Sequence, residues 1–366
     1  MVPKDKNLSR APVRVLAWPA FENKKQNPYN WLLYSNMSRE SASVEEFSTK
    51  KLLFGTHDVL HIHWPEWQIS HKNFFLSLFR FIRLLLILDM ARFKKIRIVW
   101  TVHNLADHEK YHKKLAAIFR LSLIRRLDGF ISLSSVGKDQ ALRLYPSLGT
   151  IQNCIIPHGH YRDVYPNSVD FSEARKFLDI PLNKKVLLYF GLIRPYKNVV
   201  ELIHAFKKLA NHDLVLLIAG KPHSAQLGAE IKDAAHDDSR IRLFLDFVDE
   251  NQLQTFFNAC NLVIFPFQEN LNSGSALLAL SFNRPILVPD MGSFAELQTM
   301  VGKAWVNIYS NRIGPKIIEE CLDNITVEDV FKIAPLNNLS WQNIAKDTAQ
   351  FFHQVSGVND NFMHID

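Results

Sequence analysis

Short runs of aliphatic, β-branched and aromatic residues recur along the chain, separated by longer stretches with helical spacing. In the first half, the runs over 13–18, 58–63, 96–102, 129–134 and 151–157 predict strands, and the stretches over 74–93, 108–126 and 136–145 predict helices. In the second half, strands are predicted over 186–190, 214–219, 241–245, 262–266, 285–288 and 304–308. Each of the first five is followed by a helix or helical turn. Between the halves, 161–181 turns polar and Pro-bearing and reads as a linker. An amphipathic helix over 341–355 follows the second sheet. The pattern is that of two doubly wound α/β domains with parallel sheets. The expected division is an N-terminal domain over 1–165, a C-terminal domain over 166–340, and a closing helix over 341–366 that packs back toward the first.

Composition sharpens this picture. With 366 residues and 47% hydrophobic content, the chain can bury two ordinary cores. Cys154, Cys260 and Cys321 form no close pair, which predicts a reducing compartment without a disulfide framework or zinc site. Residues 1–14 lack the apolar stretch of a signal peptide, so the expected location is cytoplasmic. Charge is divided unevenly: residues 1–165 hold 25 Lys and Arg against 13 Asp and Glu, and the rest 18 against 23. Much of the excess falls on the helices over 72–97 and 110–126. Arg80 and Arg83 interrupt the apolar run there, leaving it short of the ~20 residues of a spanning helix. Basic amphipathic helices suit an anionic membrane surface; they equally suit helices packed on a sheet with arginine heads in water. No nucleic-acid reader motif accompanies the charge, and no nucleic-acid partner is expected.

Two segments carry candidate chemistry. The apolar run 186–190 leads into Gly191, which permits a sharp turn, then Arg194 and Lys197 ahead of a helix expected over 198–209. A helix N-terminus flanked by cations suits a diphosphate; an ordinary βα loop with solvated charges is the plainer alternative. After the 262–266 strand, Asn272, Ser273, Gly274 and Ser275 open a helix with amides and hydroxyls that suit a second phosphate contact, or a simple helix cap. His61 and His63, two apart on a strand, share one face. No carboxylate or thiolate partner for a metal accompanies them, and no metal site is predicted.

Together with Asn283-Arg284-Pro285, these segments resemble the donor-binding domain of GT-B-fold glycosyltransferases. The N-terminal segments around Trp18-Pro19, His61–Glu66, His103-Asn104 and Pro157-His158-Gly159 extend the likeness. Within that fold the chain is similar to the group containing the bacterial exopolysaccharide β-mannosyltransferase of xanthan assembly. The resemblance implies two Rossmann-like domains facing a cleft. Gly191, Arg194, Lys197, Glu269, Asn272, Ser273, Gly274, Ser275 and His158 would bind a nucleotide-sugar donor. Retaining members of the fold carry two glutamates eight residues apart across this loop and helix; counting back from Pro285, the second place falls on Leu278, with Glu269 near the first, which favours inversion. With no DxD motif, transfer without a metal or other cofactor is expected.

Inversion needs a base for the acceptor hydroxyl. Glu66, after the 58–63 strand and a Pro-forced turn, is the first choice, with Glu22, Asp107 and Glu109 as rivals. His103, at a strand end, is the other catalytic candidate. Trp18, Trp64 and Trp67 are placed to stack on acceptor sugars. The resemblance implies hexosyl transfer, best taken as mannose from GDP-mannose, to a polyprenyl-diphosphate-linked saccharide at the inner face of the plasma membrane. A retaining or UDP-sugar enzyme, and a non-catalytic binding subunit, remain open alternatives.

Overall fold

A computed structural model describes residues 11–25, 27–105, 112–326 and 332–357. The chain divides into two compact units, one of 1–159 with 339–366, the other of 160–338. Each is built on a six-stranded sheet in which every pairing is parallel.

In the first unit the strands are β1 (Val13–Trp18), β2 (Ala42–Glu46), β3 (Val59–His63), β4 (Arg97–Val102), β5 (Gly129–Ser132) and β6 (Gln152–Ile155). Their order is β2-β1-β3-β4-β5-β6. The order reverses between β1 and β3, so the crevice for a ligand lies beyond the C-terminal ends of these strands. β3 and β4 are almost wholly buried, as strands covered on both faces should be. β2 escapes the hydrophobic pattern because Ala42–Glu46 is an edge strand of mixed burial and acidic sequence.

The 20-residue helix Phe74–Phe93 matches its predicted bounds and starts at Asn73, whose side chain accepts the Leu76 N–H. Leu84, Ile87, Leu88 and Ala91 face the core. Phe75, Phe79, Ile82 and Leu86 form an opposite, exposed stripe. No described helix is long and apolar enough to cross a membrane.

The helix Trp341–Ser356 belongs to the first unit. Phe352 packs edge-on against His61 at 4.9 Å, and His353 Nε2 donates to Ser41 O. Trp341 lies 5.2 Å from Tyr29 and 5.8 Å from His158.

The second unit holds β7 (Lys185–Phe190), β8 (Leu214–Ala219), β9 (Ile241–Phe244), β10 (Leu262–Ile264), β11 (Ile286–Pro289) and β12 (Val306–Tyr309). Their order is β12-β11-β10-β7-β8-β9, which reverses between β7 and β10. That is the dinucleotide-fold order, and its ligand crevice opens at the ends of those two strands.

The expected linker over 161–181 is instead a packed part of this unit, and the boundary falls after Gly159 rather than after 165. Tyr161 N–H donates to Ser281 Oγ, and the Arg162 guanidinium donates to Asn283 Oδ1 and Ala334 O. Helix Phe171–Phe177 begins in a capping box of Asp170 with Glu173. Its Arg175 is fully buried and donates to the carbonyls of Ala259, Pro181, Leu182 and Lys184 and to Asn261 Oδ1. Apolar periodicity misses such a segment because a buried guanidinium, rather than an aliphatic stripe, ties it down.

Gly159 abuts Trp341, and a Cβ there would land inside the indole's van der Waals surface. Gly159→Ala should therefore destabilise the first unit by about 1–3 kcal/mol through overpacking. Thermal unfolding checks this, with Gly149→Ala, where a Cβ meets nothing within 4 Å, as the neutral control.

Candidate functional site

Each unit carries one cluster at the C-terminal ends of its central strands. In the second unit, β7 is followed by Gly191, whose φ of +124° lies outside the range comfortable for other residues. A Cβ on it would stand 3.2 Å from Ser275 Oγ, so backbone and hydroxyl approach closely there. Ile193 is buried and held against the next loop by its N–H to Lys221 O. A 3-10 turn, Pro195–Lys197, then leads through left-handed Asn198 into helix Val199–Lys207, slightly inside its expected bounds. The Gln268 N–H donates to Tyr196 O, which joins this loop to the one following β10.

Among the described residues, the Arg194 guanidinium and the Lys197 ammonium have no hydrogen-bond or salt-bridge partner. Lys197 instead sits over the Phe267 ring, 3.4 Å from its centre. Burial, and then Arg194, push its pKa down to about 7. Two cations held without counter-charges, beside backbone amides at a helix start, suit an anion.

Ser273 is the cap of helix Gly274–Ser281, its Oγ accepting the Ala276 N–H, while Ser275 Oγ turns toward Gly191. Glu269 is exposed on the same loop. Leu278, where a second carboxylate would stand, is half-buried on the helix. The sequence did not single out Asn270, whose Nδ2 is buried with no partner, or Gly292, whose φ of +56° lets the Asn270 and Leu271 carbonyls press against it.

The first unit's cluster lies at the ends of β3 and β4. His61 and His63 do share a face, and their ring nitrogens are taken up by neighbours. The Tyr34 hydroxyl bridges His61 Nδ1 and His63 Nε2, His61 Nε2 meets Thr101 Oγ1, and His63 Nδ1 meets His103 Nε2. Burial keeps these rings neutral: His61 is pushed down to about 3, and His63 and His103 fall well below the usual histidine range. His158 is pushed down to about 4 by burial, and its Nδ1–H donates to Gly159 O at 2.7 Å. Tyr29 packs edge-on against both His103 and His158.

Trp64, in left-handed conformation at φ 44°, is buried between Trp67 at 5.2 Å and His103 at 4.1 Å, stacked on both. Both its faces are used, which removes it from the acceptor-stacking candidates. Trp67, 52% exposed, retains an open surface. Trp18 is half-buried and stacks on Phe47 at 4.1 Å.

Glu66 is half-buried in the first turn of helix Pro65–Ile69. Glu22 is exposed, and its backbone N–H, with those of Ala20 and Phe21, donates to the Glu46 carboxylate. Asp107 and Glu109 lie outside the described residues. Tyr34 and Thr101 were missed; two histidines on one buried strand face were the available signal, since each needs a polar partner there.

Residues 170–307 match the family model described as glycosyl transferases group 1. The chain is 31% identical over 326 residues to a GDP-mannose:glycolipid 4-beta-D-mannosyltransferase of Xanthomonas campestris pv. campestris, covering 88% of this chain and 87% of that one. It is 24% identical to a lipopolysaccharide 1,2-N-acetylglucosaminetransferase of Salmonella typhimurium, over 52% of this chain and 54% of the other. Among solved structures, sucrose-phosphate synthase from Thermosynechococcus elongatus superposes with a TM-score of 0.65 at 14% identity, covering 96% of this chain and all of that one. A glycosyltransferase from Rickettsia africae does so at 0.66 and 11%, covering 94% and 98%. The fold of this chain is that of GT-B glycosyltransferases.

The Lys197 ammonium gives the anion site a pH signature. With a pKa of about 7, the free lysine is mostly neutral at pH 8, and a bound diphosphate favours its charged form. Binding of a nucleoside diphosphate at pH 8 should take up a proton, approaching about one per site, and affinity should fall as pH rises from 7 to 9. Calorimetry in buffers of different ionisation enthalpy measures this, and Lys197→Met should abolish the uptake.

Proposed function

We propose a specific transfer from one premise: this chain belongs to the group 1 glycosyltransferases and is a glycosyltransferase. It moves a mannosyl unit from GDP-mannose to a glycolipid acceptor, with inversion at the anomeric carbon and without a metal. The observation that carries this is the pair of unneutralised cations, Arg194 and Lys197, fixed at the end of β7 beside the Gly274–Ser281 helix start. The departing GDP gains negative charge as the sugar leaves, and preorganised cations stabilise it without reorganisation. The donor and acceptor classes follow the activity for which the Xanthomonas relative is named.

Inversion takes support from Leu278, which leaves Glu269 as the loop's carboxylate where retaining enzymes of the fold carry two. An inverting displacement needs a proton acceptor for the incoming hydroxyl. His103 and Glu66 fill that role in this reading, since both follow the C-terminal ends of central strands in the basic unit. Trp67 offers the acceptor sugar a face for stacking.

The glycolipid is met at an anionic membrane surface. Phe75, Phe79, Ile82 and Leu86 run as one exposed apolar stripe, and Arg83 is exposed beside them. Apolar area plus basic charge is what binds a peripheral helix to such a surface.

Titration with GDP, UDP and their mannose and glucose conjugates, in EDTA, tests the donor. GDP compounds should bind selectively, and Arg194→Ala should weaken them about 10–100-fold, the worth of a charged hydrogen bond. Equal or tighter binding of UDP compounds, or a strict need for divalent cation, would overturn the donor assignment. For the membrane, Phe75→Ser with Phe79→Ser should release the protein from phosphatidylglycerol vesicles at low salt. Undiminished sedimentation of that variant would remove the stripe from the binding surface.

A further inference from the structure

Four hydrogen bonds run in series through buried side chains of the first unit. Thr101 Oγ1 lies 2.8 Å from His61 Nε2, and His61 Nδ1 lies 2.8 Å from the Tyr34 hydroxyl. That hydroxyl lies 2.7 Å from His63 Nε2, and His63 Nδ1 lies 2.9 Å from His103 Nε2. Each of these contacts holds one proton. The phenol owns a single proton and can give it to only one of its two imidazoles.

For neutral rings this leaves two consistent arrangements. When Tyr34 donates to His61, all three histidines carry their proton on Nε2, and Thr101 accepts at the inner end. When Tyr34 donates to His63, all three carry it on Nδ1, and Thr101 donates. Mixed tautomers leave the phenol proton without an acceptor, a ring lone pair without a donor, or two protons face to face, each of which burial disfavours. His61 and His63 are fully buried, Thr101 and Tyr34 nearly so, and His103 is the most open of the five at 9% exposure. Among these five residues the open end is therefore His103, whose Nδ1 has no hydrogen bond among the described residues. The Trp64 indole stacked on its ring at 4.1 Å fixes the plane.

We propose that this chain of side chains is a proton relay, in the all-Nε2–H arrangement, that presents the lone pair of His103 Nδ1 to the acceptor hydroxyl. The Nε2–H form is the one imidazole favours intrinsically. As the acceptor oxygen bonds to the anomeric carbon, the bond from that carbon to the diphosphate breaks, and its electron pair stays on the phosphate oxygen. The hydroxyl proton passes to His103 Nδ1. The His103 Nε2 proton moves to His63 Nδ1, the His63 Nε2 proton to the Tyr34 oxygen, and the Tyr34 proton to His61 Nδ1. The positive charge passes only transiently along rings that burial keeps neutral at rest, and the proton returns to water through His103. His103 is the catalytic residue of this scheme, which rests on the transferase reading above; Tyr34, His63 and His61 are positioning residues.

The test uses the full-length chain and Tyr34→Phe, which keeps the ring and removes the bridging oxygen. Long-range proton–nitrogen NMR of the histidine-labelled protein without substrate should find His61, His63 and His103 all protonated on Nε2. In Tyr34→Phe, His61 should lose its fixed tautomer. Mixed tautomers, or Nδ1–H at His103, in the unsubstituted protein would overturn the arrangement.

In turnover with the donor that binds, Tyr34→Phe should lower kcat about tenfold or more, a part of the ~10²–10⁴-fold worth of a general base, with KM changed less than about twofold. The dependence of kcat on D2O fraction should be curved for the unsubstituted enzyme and linear for the variant. An unchanged kcat in a folded Tyr34→Phe would end the relay. An enzyme silent toward every donor would instead sink the transferase reading, and the tautomers would still be decided by the spectra.

Discussion

The Tyr34 hydroxyl joins two imidazoles inside a parallel sheet, and much of the first unit is arranged around that junction. Burying His61 and His63 on β3 removes water from four ring nitrogens, each of which then requires a partner within the protein. Tyr34 meets two of these needs at once, and Thr101 and His103 meet the others. Helix Tyr29–Ser35 must therefore dock in one register, with Tyr34 over the histidine pair and Tyr29 against His103 and His158. A hydrophobic core tolerates sliding better than a polar network does. The result is an interior that fixes the orientation of a ring at its edge.

The second unit handles charge in the opposite way. Arg175, at the N-terminal ends of β7 and β10, is buried with five acceptors around it. Arg194 and Lys197, at the switch point, are left without counter-charges, one half-buried and the other laid over an aromatic ring. Neutralising them internally would have been more stable. Burial, and then the neighbouring Arg194, depress the lysine's basicity, and the unmet charge makes an anion the natural complement of the loop.

The alternation of apolar runs made both sheets legible, because strands covered on both faces must be continuously apolar. All six strands of the second unit and five of the first follow from it. β2 did not, since an edge strand with alternating burial has too little apolar sequence to stand out. The segment 161–181 read as a linker because its anchor is a guanidinium. Among candidate site residues, Gly191, Arg194, Lys197 and Ser275 were visible as a strand–turn–helix pattern, and the structure gathers them in one unit. Trp64 illustrates the converse: a tryptophan beside a strand end looks like a sugar platform, yet its burial depends on Trp67 and His103, which sequence spacing does not reveal.

The helix Trp341–Ser356 is made after the whole second unit, yet it belongs to the first. During synthesis, the second unit can complete its core as soon as residue 338 has cleared the ribosome. The first, begun earlier, must wait with its sheet open. Phe352 covers His61, and Trp341 fills the space beside Tyr29 and His158, so the histidine network is shut from water last. The half that starts first on the ribosome is thus the half that finishes last, and a chain stalled before residue 341 leaves that polar interior exposed.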